Sequence, residues 1–208
     1  QYITGSLLYL AVCTRGDLLY AVHILTCRMS NPRVLDLQRA HKALVYLMQS
    51  ARSGVTFHGN DEPVIYGWAD SAFNSGEGDK KNAFGYCFQL GRKSGMFINV
   101  CRRSTLIAQS STEAELYALA EACRELIWIN SFLCELDLSI ACKTIFQDNT
   151  TTINMVYQDG MSERSKHIDV KFHFVKRLIR NKTVVCPHVA TNGMIADIFT
   201  KDLPDESY

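Results

Sequence analysis

The hydrophobic pattern of this chain changes its period once, near Pro63, and that change constrains the fold most. Before it, apolar residues recur at the spacing of helices in three stripes, which begin near Ile3, Leu18 and Leu35. After it, short strand-like apolar runs are separated by turns and by further helical stretches. Three strands in a hairpin meander, followed by helices that alternate with short strands, predict a mixed sheet with helices packed on it.

The prediction is therefore an α/β fold with a five-stranded mixed sheet flanked by helices, preceded by a small helical segment. The predicted strands cover residues 64–68, 83–90, 96–101, 144–146 and 183–186. The predicted helices of this second part cover residues 111–133, 151–157 and 169–179, and a last helical turn follows Met194. Gly59-Asn60-Asp61 is interpreted as the linker between the two parts.

Charge and cysteine content argue against several classes of protein. Basic and acidic residues nearly balance, for a net charge of +1, so no global positive field marks the chain as nucleic-acid-binding and any basic surface must be local. The eight cysteines form no C-x-x-C pair, which argues against a zinc site or a disulfide framework and indicates a reducing, intracellular compartment. The longest apolar run, Ser6 to Cys13, is too short to span a bilayer, so no membrane partner is expected.

Four short acidic motifs carry the chemical information. Each acid ends a strand-like run or lies in the first turns of a helix-like run, in Trp68-Ala69-Asp70-Ser71, Ser111-Thr112-Glu113-Ala114-Glu115, Phe146-Gln147-Asp148-Asn149 and Ile195-Ala196-Asp197-Ile198. Carboxylates that separate elements deliver to one place are the ligands that a hard divalent cation such as Mg2+ requires. Each acid also has a plainer interpretation, because Asp70 suits a turn, Asp148 a helix N-cap and Asp197 the positive end of a helix dipole.

The start of the predicted long helix contains two glutamates, and their spacing does not show which of them caps the helix. Ser110 and Glu113 have the spacing of a capping box, and so do Thr112 and Glu115. The residues alone therefore leave open which glutamate caps the helix and which projects into a site.

Three histidines, His167, His173 and His188, raise the alternative of a zinc site. Their spacing lacks the pairs that zinc sites use, and no cysteine pair supports them. His188 comes shortly before Asp197 and could reach the same cleft, although a structural role is the more common one for a single histidine. Short basic groups such as Arg102-Arg103 would contact phosphates without reading sequence if they line the rim of the acidic site.

The order of these motifs resembles the ribonuclease H domain of copia-type (Pseudoviridae) retrotransposon polyproteins. The stretches that carry the resemblance, over roughly residues 62–204, are Trp68-Ala69-Asp70-Ser71, Phe84-Gly85-Tyr86, Gln109 to Tyr117, Gln147-Asp148-Asn149, Lys166 to Asp169 with His173-Phe174, and Ala196 to Lys201. Residues 1–59 are similar to the reverse-transcriptase thumb or connection region of the same polyproteins, on Gly5 to Arg15 and Met29 to Pro32. The resemblance thus implies a helical segment followed by a ribonuclease H-like domain.

The resemblance implies a metal-dependent endoribonuclease that hydrolyses the RNA strand of RNA–DNA hybrids. The family's catalytic, metal-binding carboxylates fall on Asp70, Glu115, Asp148 and Asp197, which leaves Glu113 to cap the helix. Two Mg2+ ions are the implied cofactors, with Mn2+ as a substitute. The residues expected to bind the nucleic acid are Ser71, Asn149, Lys166 and His188.

The implied partners are the RNA–DNA hybrid and the reverse-transcriptase polymerase domain of the same polyprotein, in a cytoplasmic virus-like particle or in the nucleus. Two alternatives stay open. An inactive module of the same fold would bind hybrid or support the polymerase, and Ala72, Gly16 and Ala190 depart from the family's pattern, although none of them removes a catalytic carboxylate. An integrase-type strand transferase would use three acids and an N-terminal zinc-binding region, which the sequence does not show.

Overall fold

The computed structural model describes residues 1–73, 82–105, 107–138, 143–158 and 166–201, without the side chains of residues 166–169. The helices are α1 (Tyr2–Cys13), α2 (Leu19–Cys27), α3 (Val34–Gln49), α4 (Ser111–Glu135), α5 (Thr150–Tyr157) and α6 (Lys166–Arg180). The strands are β1 (Ile65–Ala72), β2 (Ala83–Leu90), β3 (Met96–Arg103) and β4 (Lys143–Phe146), and three-ten helices cover Gly16–Leu18, Thr191–Gly193 and Ile195–Phe199. Within these ranges, every helix is too short or too polar to cross a bilayer. The α/β class and the helical N-terminal segment are confirmed.

The described strands form one mixed sheet in the order β3-β2-β1-β4. β1 pairs antiparallel with β2, and β2 pairs antiparallel with β3, so these strands make the predicted meander. β4 joins the other edge of β1 in parallel, with Ile65 opposite Lys143 and Trp68 opposite Phe146. A mixed sheet with helices packed on it agrees with the ribonuclease H-like fold that the resemblance implies. It brings the carboxyl ends of β1 and β4 to the same edge of the sheet.

The predicted fifth strand is wrong, because residues 183–186 form only one isolated bridge with β4. Val185 pairs with Thr144 and, further along, His188 pairs with Gln147. The backbone N–H of Val185 donates to Lys143 O at 3.0 Å, and the next N–H in that direction would belong to residue 187. Pro187 has no N–H, so it interrupts the ladder at this edge of the sheet.

The long helix α4 covers one face of the sheet. It contacts β1, β2 and β4, and it also packs on α5 and α6. The core between these elements includes Phe88, Leu119, Leu126, Ile145 and Phe172, which are at most 1% exposed. Apolar residues at helical spacing give α4 a continuous apolar side, and this side lies against the sheet.

The N-terminal helices cover the other face of the sheet. Trp68 of β1 and Cys87 of β2 belong to a second core that also contains residues of α1, α2 and α3, whereas their neighbours Ala69 and Phe88 belong to the α4 core. Successive residues of a strand point to opposite faces, so the two cores lie on opposite sides of the sheet. Residues 1–59 therefore share a hydrophobic core with the sheet, and the division into segments 1–59 and 62–204 stays a prediction.

The predicted linker between the helices and the sheet is held against the turn between β2 and β3. The Asp61 carboxylate accepts hydrogen bonds from the backbone N–H groups of Lys93 and Ser94, at 2.6 and 3.0 Å. The Gly95 N–H donates to Thr56 O at 2.7 Å. Gly91 has a φ of +78°, a conformation that glycine adopts without strain, and a Cβ there would collide with Asp61.

Candidate active site

Asp70 lies inside β1, two residues before its end, so the prediction that it ends the strand is wrong. The strand runs on to Ala72 because its pairing with β2 continues as far as Ala83. The parallel pairing with β4 stops earlier, at Trp68, so Asp70 lies beyond the end of β4 on that side. Asp70 is only 1% exposed and is therefore a buried carboxylate.

Gly85 lies opposite Asp70 on β2 and lets the C-terminal three-ten helix come close to the sheet. A Cβ at residue 85 would lie 2.5 Å from Phe199 Cβ and 3.2 Å from Thr200 Cγ2. The approach brings the Thr200 hydroxyl to Asp70, where it donates a hydrogen bond to Oδ2. It also places Asp197, which is 9% exposed, in the same region.

The start of α4 separates the two glutamates that sequence spacing leaves equivalent. Ser110 is the N-cap, and its hydroxyl accepts a hydrogen bond from the Glu113 N–H at 3.1 Å. The Glu113 carboxylate turns back and accepts from the Gln109 N–H at 2.6 Å. Glu115, two residues further and so on the other side of the helix, is only 6% exposed. Glu113 therefore caps the helix, as the resemblance implied.

The loop after β4 presents Asp148 without using it as a cap. Asn149 is the N-cap of α5, and its side-chain oxygen accepts from the Thr152 N–H at 2.9 Å. The Asp148 carboxylate accepts a long hydrogen bond from the Thr191 hydroxyl, at 3.4 Å. Since the neighbouring asparagine satisfies the helix end, the plainer interpretation of Asp148 as an N-cap is wrong.

Three of the four predicted acids converge. One carboxylate oxygen from each of Asp70, Asp148 and Asp197 lies within 4.8 Å of the corresponding oxygens of the other two. Hard carboxylate oxygens at this separation suit a divalent ion such as Mg2+, so the donor set fits the implied cofactor. Glu115 is not one of these three, but its buried carboxylate is linked to the loop of Asp148 through Gln147.

Gln147 was missed by sequence reasoning although it is completely buried. Its side-chain amide nitrogen donates to Glu115 Oε2 at 3.2 Å. Its side-chain oxygen accepts from the backbone N–H groups of Asp148 and Asn149, at 2.8 and 3.2 Å. Gln147 therefore fixes the positions of two predicted ligands at once. The signal in the sequence was a polar residue directly after a short buried strand.

Lys201 was also missed as a site residue. Its ammonium lies 2.7 Å from Asp197 Oδ1 and 3.5 Å from Asp70 Oδ1. Lys201 follows Asp197 by four residues, a spacing at which opposite charges meet on a helical turn. The acidic site thus holds a positive charge supplied by the chain itself.

Burial and crowding of negative charge change the protonation of two of the acids. Burial, with the nearby charges of Asp197 and Asp148, raises the pKa of Asp70 to about 6, although Thr200 and Lys201 oppose the shift. Burial, with the charge of Asp70, raises the pKa of Glu115 to about 8. Both carboxyl groups therefore hold protons more tightly than exposed acids do. A bound divalent cation would reverse this preference.

The predicted nucleic-acid-binding residues fall in different environments. Ser71 is buried, and its hydroxyl lies beside the Glu115 carboxylate. It lines a small cavity of about 20 Å³ between the sheet and α4. His188 is exposed beside Gln147 at the sheet edge, and Asn149 is half-buried at the start of α5. The side chain of Lys166 lies outside what the structure describes, and all four contacts stay predictions.

Several known proteins match this chain over nearly all of its length. No family model matches the chain. It is 29% identical over 98% of its length to the retrovirus-related Pol polyprotein from transposon TNT 1-94 of Nicotiana tabacum. It is also 29% identical over 97% of its length to the retrovirus-related Pol polyprotein from transposon RE1 of Arabidopsis thaliana. The chain spans only 15% and 14% of the lengths of these two relatives.

Among solved structures, RNase H1 from the halophilic archaeon Halobacterium salinarum NRC-1 aligns with a TM-score of 0.48 and 14% identity. The alignment covers 65% of this chain and 93% of that protein. The sequence relatives match the chain over nearly all of its length, from the N-terminal helices to the acidic C-terminal turn. These sequence relatives are Pol polyproteins of copia-type retrotransposons, and the chain matches a segment of each.

Proposed function

We propose that this segment is the ribonuclease H of a retrotransposon and hydrolyses the RNA strand of RNA–DNA hybrids during reverse transcription, with two divalent ions. The observation that carries the proposal is the convergence of Asp70, Asp148 and Asp197 within 4.8 Å, with Glu115 buried beside them. A protein that only binds hybrid gains nothing from burying acids that repel one another and the phosphate backbone.

The residues that would hold the ions are Asp70, Glu115, Asp148 and Asp197. When bound, the two divalent ions supply a deprotonated water as nucleophile and stabilise the leaving oxygen of the phosphodiester. The chain contributes a set of carboxylates that is already in place, because Thr200 orients Asp70 and Gln147 orients Glu115. Mn2+ would substitute for Mg2+, since both prefer oxygen ligands.

The proposed substrate is an RNA–DNA hybrid recognised mainly through its backbone. The minor groove of such a helix displays the 2′-hydroxyl groups, which distinguish the RNA strand from the DNA strand. Ser71, Asn149, Lys166 and His188 are the proposed contacts. The reverse-transcriptase polymerase domain of the same polyprotein is the proposed partner, and a cytoplasmic virus-like particle or the nucleus is the proposed location.

The test is cleavage of a hybrid whose RNA strand is end-labelled, by the 208-residue chain with Mg2+. We expect the RNA strand to be cut, and expect no cutting of the DNA strand, of single-stranded RNA or of duplex DNA. Asp70→Asn should abolish cleavage, whereas Glu113→Gln should preserve it, because the glutamine side-chain oxygen can accept the same hydrogen bond from the Gln109 N–H.

Two results would replace the proposal. Hybrid binding without cleavage, in Mg2+ and in Mn2+, would show that the segment is an inactive module that binds hybrid or supports the polymerase. Cleavage of duplex DNA in place of hybrid would show an integrase-type nuclease on the same fold.

A further inference from the structure

The ammonium of Lys201 reaches into the acidic site from its rim. The Lys201 side chain is 38% exposed, whereas the side chains of Asp197 and Asp70 that it contacts are 13% and 1% exposed. A lysine has a flexible four-carbon stem, so a partly exposed one can leave the site by rotating about its own bonds. The Asp70 carboxylate cannot follow it, because Asp70 lies within a strand of the sheet and Thr200 holds its carboxylate.

A divalent ion bound to Asp197 or Asp70 would lie close to the Lys201 ammonium. An Mg2+ ion takes its carboxylate oxygens at about 2.1 Å, and Lys201 Nζ is 2.7 Å from Asp197 Oδ1. An ion on that oxygen would therefore lie within about 5 Å of the ammonium, where like charges repel strongly. An ion on Asp70 Oδ1, which is 3.5 Å from Nζ, would lie within about 6 Å of the ammonium.

We propose that Lys201 is a built-in counter-ion of the acidic site: it neutralises Asp70 and Asp197 in the metal-free protein and competes with the divalent ion for them. Metal binding then displaces the ammonium to the rim, where a phosphate of the nucleic acid would be its next partner. The proposal takes the carboxylate cluster as a cation site and in that respect rests on the proposed function. Lys201 is a positioning residue here, since it acts through the carboxylates.

The test measures Mn2+ binding in the absence of nucleic acid, by calorimetry and by the electron paramagnetic resonance signal of free Mn2+. Lys201→Gln keeps a hydrogen-bond donor for Asp197 but removes the charge. We expect it to bind Mn2+ about tenfold more tightly than the unmodified chain, which corresponds to about 1.4 kcal/mol. Lys201→Arg keeps the charge and should bind within about threefold of the unmodified chain. Lys42→Gln, at an exposed position of α3, is the matched control and should change nothing.

A purely structural role for Lys201 would lower the unfolding temperature of Lys201→Gln in chelator and leave its Mn2+ affinity equal to or weaker than that of the unmodified chain. That result would overturn the proposal, and so would the absence of Mn2+ binding in every variant. If Lys201→Gln does not fold, Lys201→Met tests the same loss of charge. Hybrid cleavage is scored separately: tighter Mn2+ binding by Lys201→Gln without cleavage by any variant would support the counter-ion and refute only the ribonuclease function.

Discussion

The metal-free protein should become more stable when Asp70 is replaced by asparagine. Burial among other acids raises the pKa of Asp70 from 3.8 to about 6, so its ionised form is disfavoured in the folded state relative to the unfolded chain. Asparagine resembles the protonated acid and keeps an oxygen that accepts the hydrogen bond from Thr200. The rise of this pKa from 3.8 to about 6 lowers the free energy of unfolding by about 3 kcal/mol at a pH well above 6.

The dependence on pH has a definite sign. Because the folded-state pKa is the higher one, the contribution of Asp70 to stability is fully present below pH 3.8 and is lost as the pH rises through about 6. The Asp70→Asn variant should therefore match the unmodified chain near pH 4 and exceed its free energy of unfolding by about 3 kcal/mol at pH 7.5. Added Mg2+ should narrow this gap, because the ion stabilises the unmodified chain by mass action.

The assay is equilibrium unfolding in urea, in chelator and reductant, at several pH values between 4 and 8. Glu135→Gln, at the exposed end of α4, removes one negative charge outside the site and is the matched control. The reasoning is refuted if Asp70→Asn is the less stable protein at pH 7.5 without metal. It is equally refuted if the difference does not change with pH, since a packing effect would be independent of ionisation.

Two further substitutions test the framework that holds the acids. Gln147→Ala removes the hydrogen bonds to Glu115 and to the loop after β4, so it should lower the free energy of unfolding by about 1–3 kcal/mol and reduce hybrid cleavage; unchanged urea unfolding would contradict the role given to this side chain. Gly85→Ala places a methyl group against Phe199 and should destabilise the protein by about 1–3 kcal/mol, whereas Gly54→Ala, where a Cβ meets nothing within 4 Å, should be close to neutral in thermal unfolding. Equal effects at residues 85 and 54 would contradict the close approach.

The sequence predicts the elements whose signal is local. Helix α4 was found because its apolar residues repeat at helical spacing over a long stretch, and the hairpin of β2 and β3 because turn residues separate two apolar runs. The end of β1 was misplaced, since its last residues are strand only because Ala83 and Phe84 pair with them. Pairing of this kind depends on distant residues, and local propensity does not encode it.

In the site, too, local sequence predicts some features, and others depend on contacts between distant residues. Residue types and their order predict the four acids, but spacing does not distinguish Glu113 from Glu115. The fold shows that Glu113 accepts a hydrogen bond from Gln109 and that Glu115 is buried. Lys201 stood at a recognisable distance from Asp197 in the sequence. Its contact with Asp70, 131 residues away in the chain, depends on how the C-terminal turn packs across β2, which no local pattern contains.

The core shared by the N-terminal helices and the sheet has a consequence for how the chain would respond to proteolytic cleavage. Trp68, Cys87 and Phe199 lie under the helices, and Phe199 is two residues from Asp197. A cleavage in the segment between α3 and β1 would leave two complementary fragments that hold each other by their apolar faces. Removing the helical fragment would instead expose that face, and we expect it to loosen the turn that carries Asp197.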